Sequence, residues 1–406
     1  MNAYLLTAMN LAIVSPFPPA VTGIGQYGYH ISRGLERSGQ FRQITVLAGA
    51  PDVSQKVNVS PSLTVDFAWR PNQLSAGSAV LSALRRLNPD LVWYNLGVSV
   101  FGRSPLANLF GFLSLGQVRL AGLPTVVTLH ELVELSDLKT LHAPGGSLAW
   151  LGARLLTNLA TRADMVCFTM RRYVEWFSSR YPDRDCMHIP IGAYRTPERL
   201  PESDVPELLF FTTLAPYKGL EILLAAYRSL LPQFPTLRLT IAGAEHPRFP
   251  GYRDQLQRDH SSLSGIHWLG QVPEECIRSM FSQAQVIVLP YTASTGSSSV
   301  LYQAAMWGRA LVASDLLETR SVAAESGLAV NFFENRDFVS LAKAIQSVLE
   351  SPARRRAQVA HNYSVIKHNR LEETCRLYLQ AFNQALASQH KDQRIDIPSA
   401  IPMELT

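Results

Sequence analysis

The chain has 406 residues, 47% of them hydrophobic and 17% charged, so it is too long for one ordinary core and is expected to form two globular domains. No apolar run reaches the roughly 18 residues that a membrane-spanning helix needs. The four scattered cysteines show no metal-ligand spacing, which argues against a disulfide framework and indicates a reducing, cytoplasmic compartment.

The net charge of +5 is unevenly distributed, because residues 1–200 carry 18 Lys and Arg against 12 Asp and Glu. A basic first half suits an anionic acceptor, or peripheral contact with the anionic inner face of a membrane. The alternative is ordinary surface asymmetry. Nucleic acid is not expected as a partner, since no recognition motif accompanies the charge.

Strands and helices alternate along the chain, which predicts an α/β protein with parallel sheets wrapped by helices. We expect residues 1–8 to be a frayed extension of the first strand. The strands predicted in the first half are Leu11–Val14, Ile44–Ala48, Leu91–Tyr94, Thr125–Leu129, Met165–Thr169 and Met187–Ile191. Those predicted in the second half are Leu208–Thr212, Leu237–Ala242, Ile266–Leu269, Val286–Leu289, Leu311–Ala313 and Leu328–Asn331. The segment 195–207, rich in Pro and charge, separates the halves as a linker.

A glycine loop follows the first strand, in PFPPAVTGIGQYGYHI at residues 16–31. Gly23 and Gly25, on either side of Ile24, let the backbone approach an acceptor or a diphosphate closely. The spacing differs from the dinucleotide fingerprint, so bound NAD is not expected. A purely structural role for these glycines is the alternative.

His130 stands just past a hydrophobic strand, in TLHELVE at residues 128–134. This position predicts a histidine in a cleft, where it donates to a ligand oxygen or accepts a proton. The alternative is a histidine that caps a neighbouring helix.

Lys218 lies in FTTLAPYKGLEILLAAY, residues 211–227, between a buried strand and an amphipathic helix. Ligands of open α/β sheets bind at the carboxyl ends of strands, and phosphates favour helix N-termini. We therefore expect Lys218 to bind a diphosphate. The alternative is a solvated lysine in a polar turn.

A loop rich in Gly, Ser and Thr follows Pro290, in PYTASTGSSSVLYQAAMWGRALVASD at residues 290–315. A helix is expected to begin near Ser299, so the backbone N–H groups from Gly296 to Val300 point at a bound anion. Plain capping and turn roles for these residues are the alternative.

These segments together resemble the retaining glycosyltransferases of family four, which have the GT-B fold. The resemblance runs from about Leu11 to Leu386 and includes the glycine loop, His130 and the lysine segment. It also includes IPIGAY at 189–194, LTIAGAE at 239–245, the segment 266–291 and QAAMWGRALVASD at 303–315. Each motif is weak alone, but their order is specific.

Two departures from the family pattern concern the donor. Thr213 stands where the family has an arginine, five residues before the lysine, and Thr295 and Gln303 stand where it has two glutamates. Gln303 can still hydrogen-bond a ribose, whereas Thr295 supplies no carboxylate. The departures indicate altered donor recognition rather than a dead site.

The resemblance implies two Rossmann-like domains, with residues 1–194 binding the acceptor and 208–370 binding the nucleotide sugar. It further implies that a C-terminal helix, 371–390, crosses back to the first domain, ahead of a loose tail at 391–406.

The implied activity is retaining transfer of a sugar from a nucleotide-diphosphate donor to an acceptor hydroxyl, in polysaccharide or glycoconjugate synthesis. No cofactor or metal is expected, and the acceptor is lipid-linked, a glycan or a small molecule. Lys218 and His130 are the expected catalytic residues. Donor contacts are expected from Thr213, Lys218, Thr295, Gly296, Ser297, Ser298, Ser299 and Gln303. The alternatives are a non-catalytic sugar-binding partner in a glycan assembly complex and a GT-B sugar-nucleotide epimerase.

Overall fold

The computed structural model describes residues 9–20, 22–53, 55–141 and 146–395. Two separate sheets, both mainly parallel, are wrapped by helices, which confirms the α/β, GT-B class expected from the sequence. The apolar runs of the central strands, such as those at 91–96, 125–129, 286–289 and 310–314, are fully buried. Such runs are buried on both faces because the crossover helices cover each face of a parallel sheet.

The first sheet has the order β3-β4-β2-β1-β5-β6-β7-β8. Its strands are β1 (Asn10–Val14), β2 (Gln43–Gly49), β3 (Lys56–Ser60), β4 (Leu63–Trp69), β5 (Leu91–Leu96), β6 (Thr125–Leu129), β7 (Met165–Phe168) and β8 (Cys186–His188). Its helices are α1 (Gly23–Arg37), α2 (Ala76–Leu87), α3 (Pro105–Leu120), α4 (Gly146–Ala160) and α5 (Arg171–Arg180).

The second sheet has the order β11-β10-β9-β12-β13-β14. Its strands are β9 (Glu207–Phe211), β10 (Arg238–Ala242), β11 (Ile266–Gly270), β12 (Val286–Leu289), β13 (Ala310–Ser314) and β14 (Asn331–Phe333). The helices around it are α6 (Leu220–Leu230), α7 (Tyr252–Asp259), α8 (Ile277–Gln283), α9 (Ser299–Met306), α10 (Leu317–Ser326), α11 (Phe338–Leu349) and α12 (Pro352–Ile366).

The last helix, α13 (Leu371–Ile395), returns to the first sheet and packs on α1, β6 and β7. The Tyr378 hydroxyl lies 2.9 Å from that of Tyr27 and 2.8 Å from Thr128 Oγ1. The helix runs past the expected end at residue 390, because Pro398 is the first helix breaker after it. The remainder of the expected loose tail, 396–406, and the expected extension 1–8 lie outside the described residues.

Three strand predictions need correction. The hairpin β3–β4 was missed: β3 is largely exposed and antiparallel to β4, and β4 contains Asp66, which Lys56 pairs at 3.2 Å. Strand β8 ends at His188 rather than Ile191, since Pro190 has no N–H for a ladder. Strand β14 starts at Asn331 rather than Leu328, because the Leu328 N–H closes α10 by bonding Ala323 O at 2.8 Å.

The expected linker carries no helix or strand from 195 to 206, and it is packed rather than free. The buried guanidinium of Arg309 donates to Pro201 O at 2.8 Å, and the Tyr363 hydroxyl donates to Pro197 O at 3.1 Å. Glu207, expected in the linker, opens β9 and accepts a hydrogen bond from Thr240 Oγ1 at 2.7 Å.

Candidate active site

The loops singled out in the sequence all leave the carboxyl ends of neighbouring central strands. In the first sheet β1 lies beside β5 and β5 beside β6, and in the second sheet β9 lies beside β12. Each sheet reverses its strand order at the β1–β5 or β9–β12 boundary. Ligands of doubly wound sheets bind at such switch points, and here the two switch points face each other across a cleft.

Lys218 ends a short 3₁₀ helix, Pro216–Lys218, ahead of α6. Gly219 follows with φ 69°, and a Cβ there would lie 1.9 Å from Pro290 O, so only glycine fits. Tyr217 O accepts hydrogen bonds from Thr292 N at 2.9 Å and from Thr292 Oγ1 at 3.3 Å. These contacts fasten the lysine loop (residues 212–219) to the serine loop (residues 290–298).

The Lys218 ammonium lies 3.9 Å from the centroid of the Tyr291 ring. The ammonium makes no hydrogen bond or ion pair with a residue that the structure describes. Burial lowers the pKa of Lys218 to about 8, and the Glu131 carboxylate opposes that shift. A half-buried ammonium with a depressed pKa and no protein partner gains most from a bound anion.

The serine loop leads directly into α9, with Ser298 at the N-cap. Within the described part of the chain, the backbone N–H groups of Ser297, Ser298, Ser299 and Val300 find no acceptor. The Ser298 hydroxyl does not cap them. Four free N–H groups at a helix N-terminus form an anion site, and the fastened loops place it beside Lys218.

The first domain meets the serine loop at His130. A Cβ on Gly296 would lie 2.3 Å from His130 O, so the glycine allows the two domains to touch. The Tyr173 hydroxyl, from α5, donates to Thr295 O at 2.6 Å. Thr295 and Gly296 therefore lie against the first domain.

His130 does not cap a helix. Its Nε2 lies 2.6 Å from Asn95 Oδ1, and Tyr27 packs edge-on at 4.8 Å. Asn95 Nδ2 donates to Ser15 Oγ and Ile24 O, which assigns Oδ1 as the acceptor of the His130 Nε2–H. Burial lowers the pKa of His130 to about 3, so the ring is neutral. Nδ1 then carries a lone pair that can accept a hydrogen bond from a ligand hydroxyl.

Glu131 is the carboxylate of this cleft that the sequence reasoning did not select. Its Oε1 accepts a hydrogen bond from Thr295 Oγ1 at 3.0 Å, and its Oε2 accepts one from Val98 N at 3.2 Å. Thr295, which supplies no carboxylate itself, is therefore bonded to one from the opposite domain. Glu131 belongs to the same TLHELVE motif as His130, which was the available signal.

Asn95 was also missed in the sequence. It is fully buried in β5 and joins Ser15, which follows β1, Ile24 in α1, and His130, which follows β6. The available signal was a single amide in the otherwise apolar run LVWYNL, because a buried polar group normally has a hydrogen-bond partner.

The glycine loop opens α1 as expected. Thr22 caps the helix by accepting from Gly25 N at 2.9 Å, while a Cβ on Gly23 would meet only open space. The Ile24 side chain covers Gly97, which also adjoins Glu131. This loop therefore borders the cleft near Glu131.

The two remaining candidates lie in the second domain. Thr213 is half-buried just beyond β9, beside Gly243. Gln303 is buried in the second turn of α9, where the sequence placed it. The Gln303 amide makes no hydrogen bond with a described residue, so it is available to a ligand at the start of that helix.

Among the described residues, no group of three His, Cys, Asp or Glu side chains is arranged to hold a metal ion. None of the helices in the described ranges combines the length and apolar character needed to cross a bilayer.

Family models match both halves of the chain. The model described as glycosyl transferase 4-like domain matches residues 22–192, and that described as glycosyl transferases group 1 matches residues 205–351. The chain belongs to the GT4-type glycosyltransferases. The expected family is thereby confirmed.

Two mycobacterial relatives resemble this glycosyltransferase. Phosphatidyl-myo-inositol mannosyltransferase of Mycolicibacterium smegmatis is 33% identical over 146 residues, which are 36% of this chain and 36% of that protein. Glycogen synthase of Mycobacterium tuberculosis is 24% identical over 389 residues, covering 87% of this chain and 89% of that protein. Their different products show that the family alone does not specify the substrate.

Solved structures share the fold of this glycosyltransferase at low identity. Sucrose-phosphate synthase from Thermosynechococcus elongatus has a TM-score of 0.72 at 17% identity, covering 94% of this chain and 100% of that one. HepE from Anabaena, solved with UDP-glucose, has a TM-score of 0.66 at 17% identity, covering 95% and 100%.

Proposed function

We propose that this glycosyltransferase is a retaining enzyme that moves a sugar from a nucleotide-diphosphate donor to an acceptor hydroxyl, without a metal ion. The observation that carries the proposal is the Lys218 ammonium, which has no hydrogen-bond acceptor among the described residues, together with the four free N–H groups at the start of α9. A diphosphate is the ligand that such a donor set matches. Retention, and a role in polysaccharide or glycoconjugate synthesis, are supported by the family resemblance.

In the proposed reaction the bond between the anomeric carbon and the donor phosphate breaks, and a bond to the acceptor oxygen forms. The acceptor proton passes to the leaving phosphate. Lys218 and the N–H groups of Ser297–Val300 stabilise the negative charge that develops on the diphosphate. Neutral His130 accepts a hydrogen bond from a hydroxyl of the transferred sugar. Contact of the domains at Gly296 excludes water from the reacting carbon.

The proposal is tested with UDP- and GDP-sugars as probes. Calorimetric titration identifies the nucleotide, and radiolabelled transfer to glycan, lipid and small-sugar acceptors measures the reaction. The anomeric configuration of the product, read by NMR, is expected to match that of the donor. Binding without transfer would favour a non-catalytic partner. Conversion of the donor sugar to its epimer would favour an epimerase, and an inverted product would refute retention.

Peripheral attachment to an anionic membrane is a second part of the proposal. Helices α3 and α4 pack together and expose large apolar side chains: Leu106, Phe110 and Leu120 on α3, and Trp150, Leu151 and Leu155 on α4. The charged residues of these two helices are Arg119 and Arg154, both basic. Residues 1–200, which include both helices, carry a net charge of +6. Exposed apolar groups beside basic ones in this half suit weak binding to anionic lipid.

Liposome co-sedimentation tests this attachment. Binding to anionic vesicles is expected at low salt and should fall at high salt. Replacing Trp150 and Leu151 with Ser should weaken it further, while Leu269→Ser, at an exposed position of the second domain, should not. Absence of binding at low salt would contradict the proposal.

A further inference from the structure

Glu131 holds an unusual position between the two domains. It belongs to the first domain, yet its Oε1 is hydrogen-bonded to Thr295 of the serine loop, 164 residues away in the chain. Its field also reaches Lys218. The carboxylate is half-buried, so its charge is screened less than that of a surface residue.

Glu131 and Lys218 do not form an ion pair with each other, although the Glu131 carboxylate favours the charged form of Lys218 and so acts to raise its pKa. A carboxylate has about four lone-pair sites, and two of those on Glu131 are used by Val98 N and Thr295 Oγ1. The remaining acceptor capacity belongs to the first domain and the Lys218 ammonium to the second, near enough for the Glu131 carboxylate to act on the pKa of Lys218. This pair suits a ligand that is anionic at one end and offers hydroxyl donors at the other.

A nucleotide-sugar donor, the substrate of the proposed function, has this asymmetry. Its diphosphate is negative, while its sugar offers hydroxyl donors and gains positive character as the leaving group departs. A carboxylate is repelled by the diphosphate and attracted by the sugar in the transition state. The charges of the cleft therefore orient the donor, with phosphates towards Lys218 and the sugar towards Glu131.

We propose that Glu131 recognises the transferred sugar, and that it does so from the domain opposite to the one that holds the nucleotide. This inference rests on the proposed function. Its consequence is that sugar recognition requires the two domains to be in contact, whereas binding of the nucleotide alone does not. Glu131 is then a determinant of the preference for nucleotide sugar over free nucleotide.

The test compares nucleotide with nucleotide sugar in the full chain. Calorimetry with UDP and UDP-glucose, and with GDP and GDP-mannose, gives both affinities for wild type and Glu131→Gln. Glutamine keeps one acceptor oxygen, for Val98 N, and its NH₂ group can donate to Thr295 Oγ1 instead of accepting from it, while the charge is removed. We expect the affinity for nucleotide sugar to fall about 10- to 100-fold, as for a lost bond to a charged group, with the nucleotide affinity unchanged.

Glu325→Gln is the matched control. Glu325 also joins the domains, since it accepts from Arg171 N at 3.0 Å and lies 3.2 Å from His188 Nε2, but it lies outside the cleft described above. The ratio of the two affinities should stay at the wild-type value in this variant. A reduced ratio in Glu325→Gln as well would assign the effect to domain contact and overturn the role of Glu131.

A double variant that moves the carboxylate to the other domain tests for recovery of the lost preference. In Glu131→Gln/Thr295→Glu the carboxylate returns from the other side of the 3.0 Å contact, so part of the preference for nucleotide sugar should return. Thr295→Glu alone places two carboxylates together and should weaken binding. If wild type binds nucleotide sugar and Glu131→Gln keeps the preference, this inference fails while the proposed function stands. If wild type binds none of the four probes, both fail.

Discussion

The two walls of the cleft differ in what they leave unpaired. On the second-domain wall, called the donor wall for its hydrogen-bond donors, Lys218 and the N–H groups at the start of α9 have no hydrogen-bond acceptor among the described residues. On the first-domain wall, called the acceptor wall, His130 and Asn95 are bonded to each other, and His130 Nδ1 and Glu131 offer acceptors. Donors suit phosphate oxygens and acceptors suit sugar hydroxyls, so the contrast indicates which end of a donor molecule each wall holds.

Removing the Lys218 ammonium from the donor wall should have the largest effect on the rate of transfer. Lys218→Ala is expected to lower the rate of transfer about 100-fold or more, as for the loss of one preorganised group that stabilises developing charge. Initial rates with the preferred donor measure it. Lys343→Ala, at an exposed lysine of α11, should retain the wild-type rate, and a Lys218→Ala enzyme that did the same would remove Lys218 from the mechanism.

Breaking the bonded pair on the acceptor wall should cost both stability and activity. Asn95→Ala leaves the buried His130 Nε2–H unpaired, which should lower the free energy of unfolding by about 1–3 kcal/mol and reduce transfer by releasing the ring. Chemical denaturation and initial rates measure the two effects.

Asn108→Ala is the control for Asn95. Asn108 is also a buried amide with three hydrogen bonds, to Phe101 N, Gly102 O and Ser104 O, but it holds a loop at the start of α3. It should lose similar stability and keep transfer per folded molecule. Equal loss of activity in both variants would mean that Asn95 acts only through the fold.

The two walls are coupled through the charge of Lys218. Because the pKa of Lys218 is about 8, kcat/KM, which reports the free enzyme, should fall about tenfold per pH unit above that value. The groups around this ammonium are Glu131, His246, Tyr217 and Tyr291; burial lowers the pKa of His246 to about 4, so it is neutral in this range. Glu131 raises the pKa of Lys218, hence Glu131→Gln should move the falling limb to lower pH. If Glu131→Gln leaves the falling limb at the wild-type pH, Glu131 does not affect the pKa of Lys218.

A smaller effect is expected deeper in the donor wall, at Gln303. An amide satisfies ribose hydroxyls more weakly than a carboxylate, so Gln303→Glu should preserve or tighten nucleotide binding. Gln303→Leu should weaken it by about 0.5–1.5 kcal/mol. Calorimetric titration of wild type and the two variants with nucleotide measures these changes in Kd. If Gln303 only packs in α9, the nucleotide Kd stays constant in all three proteins and only thermal stability changes.

No effect is expected from metal removal. In the proposed mechanism Lys218 and backbone N–H groups stabilise the diphosphate, so transfer in EDTA should equal transfer with added Mg²⁺ or Mn²⁺. Activity lost in EDTA and restored by either ion would show that the donor wall needs a metal.

The donor wall was largely predictable from the sequence. Lys218 and Ser297–Ser299 each stand between an apolar strand and an amphipathic helix, and a helix N-terminus has free N–H groups wherever it lies. The acceptor wall was predictable only at His130. Asn95 was hidden because a polar residue within an apolar run has no local signature of its partner, and β4 was missed for a similar reason, at Asp66.

The sequence by itself determined most of the buried strands, though not β4, together with the loops that follow them and those loops that carry an ammonium or free N–H groups. These are local properties, set by side-chain period and by the ends of helices. Only the tertiary structure decided that Glu131 meets Thr295 and that Asn95 holds His130, contacts that span 164 and 35 residues. Such contacts depend on strand order within a sheet and on how two sheets face each other, and the side-chain pattern of a single segment contains neither.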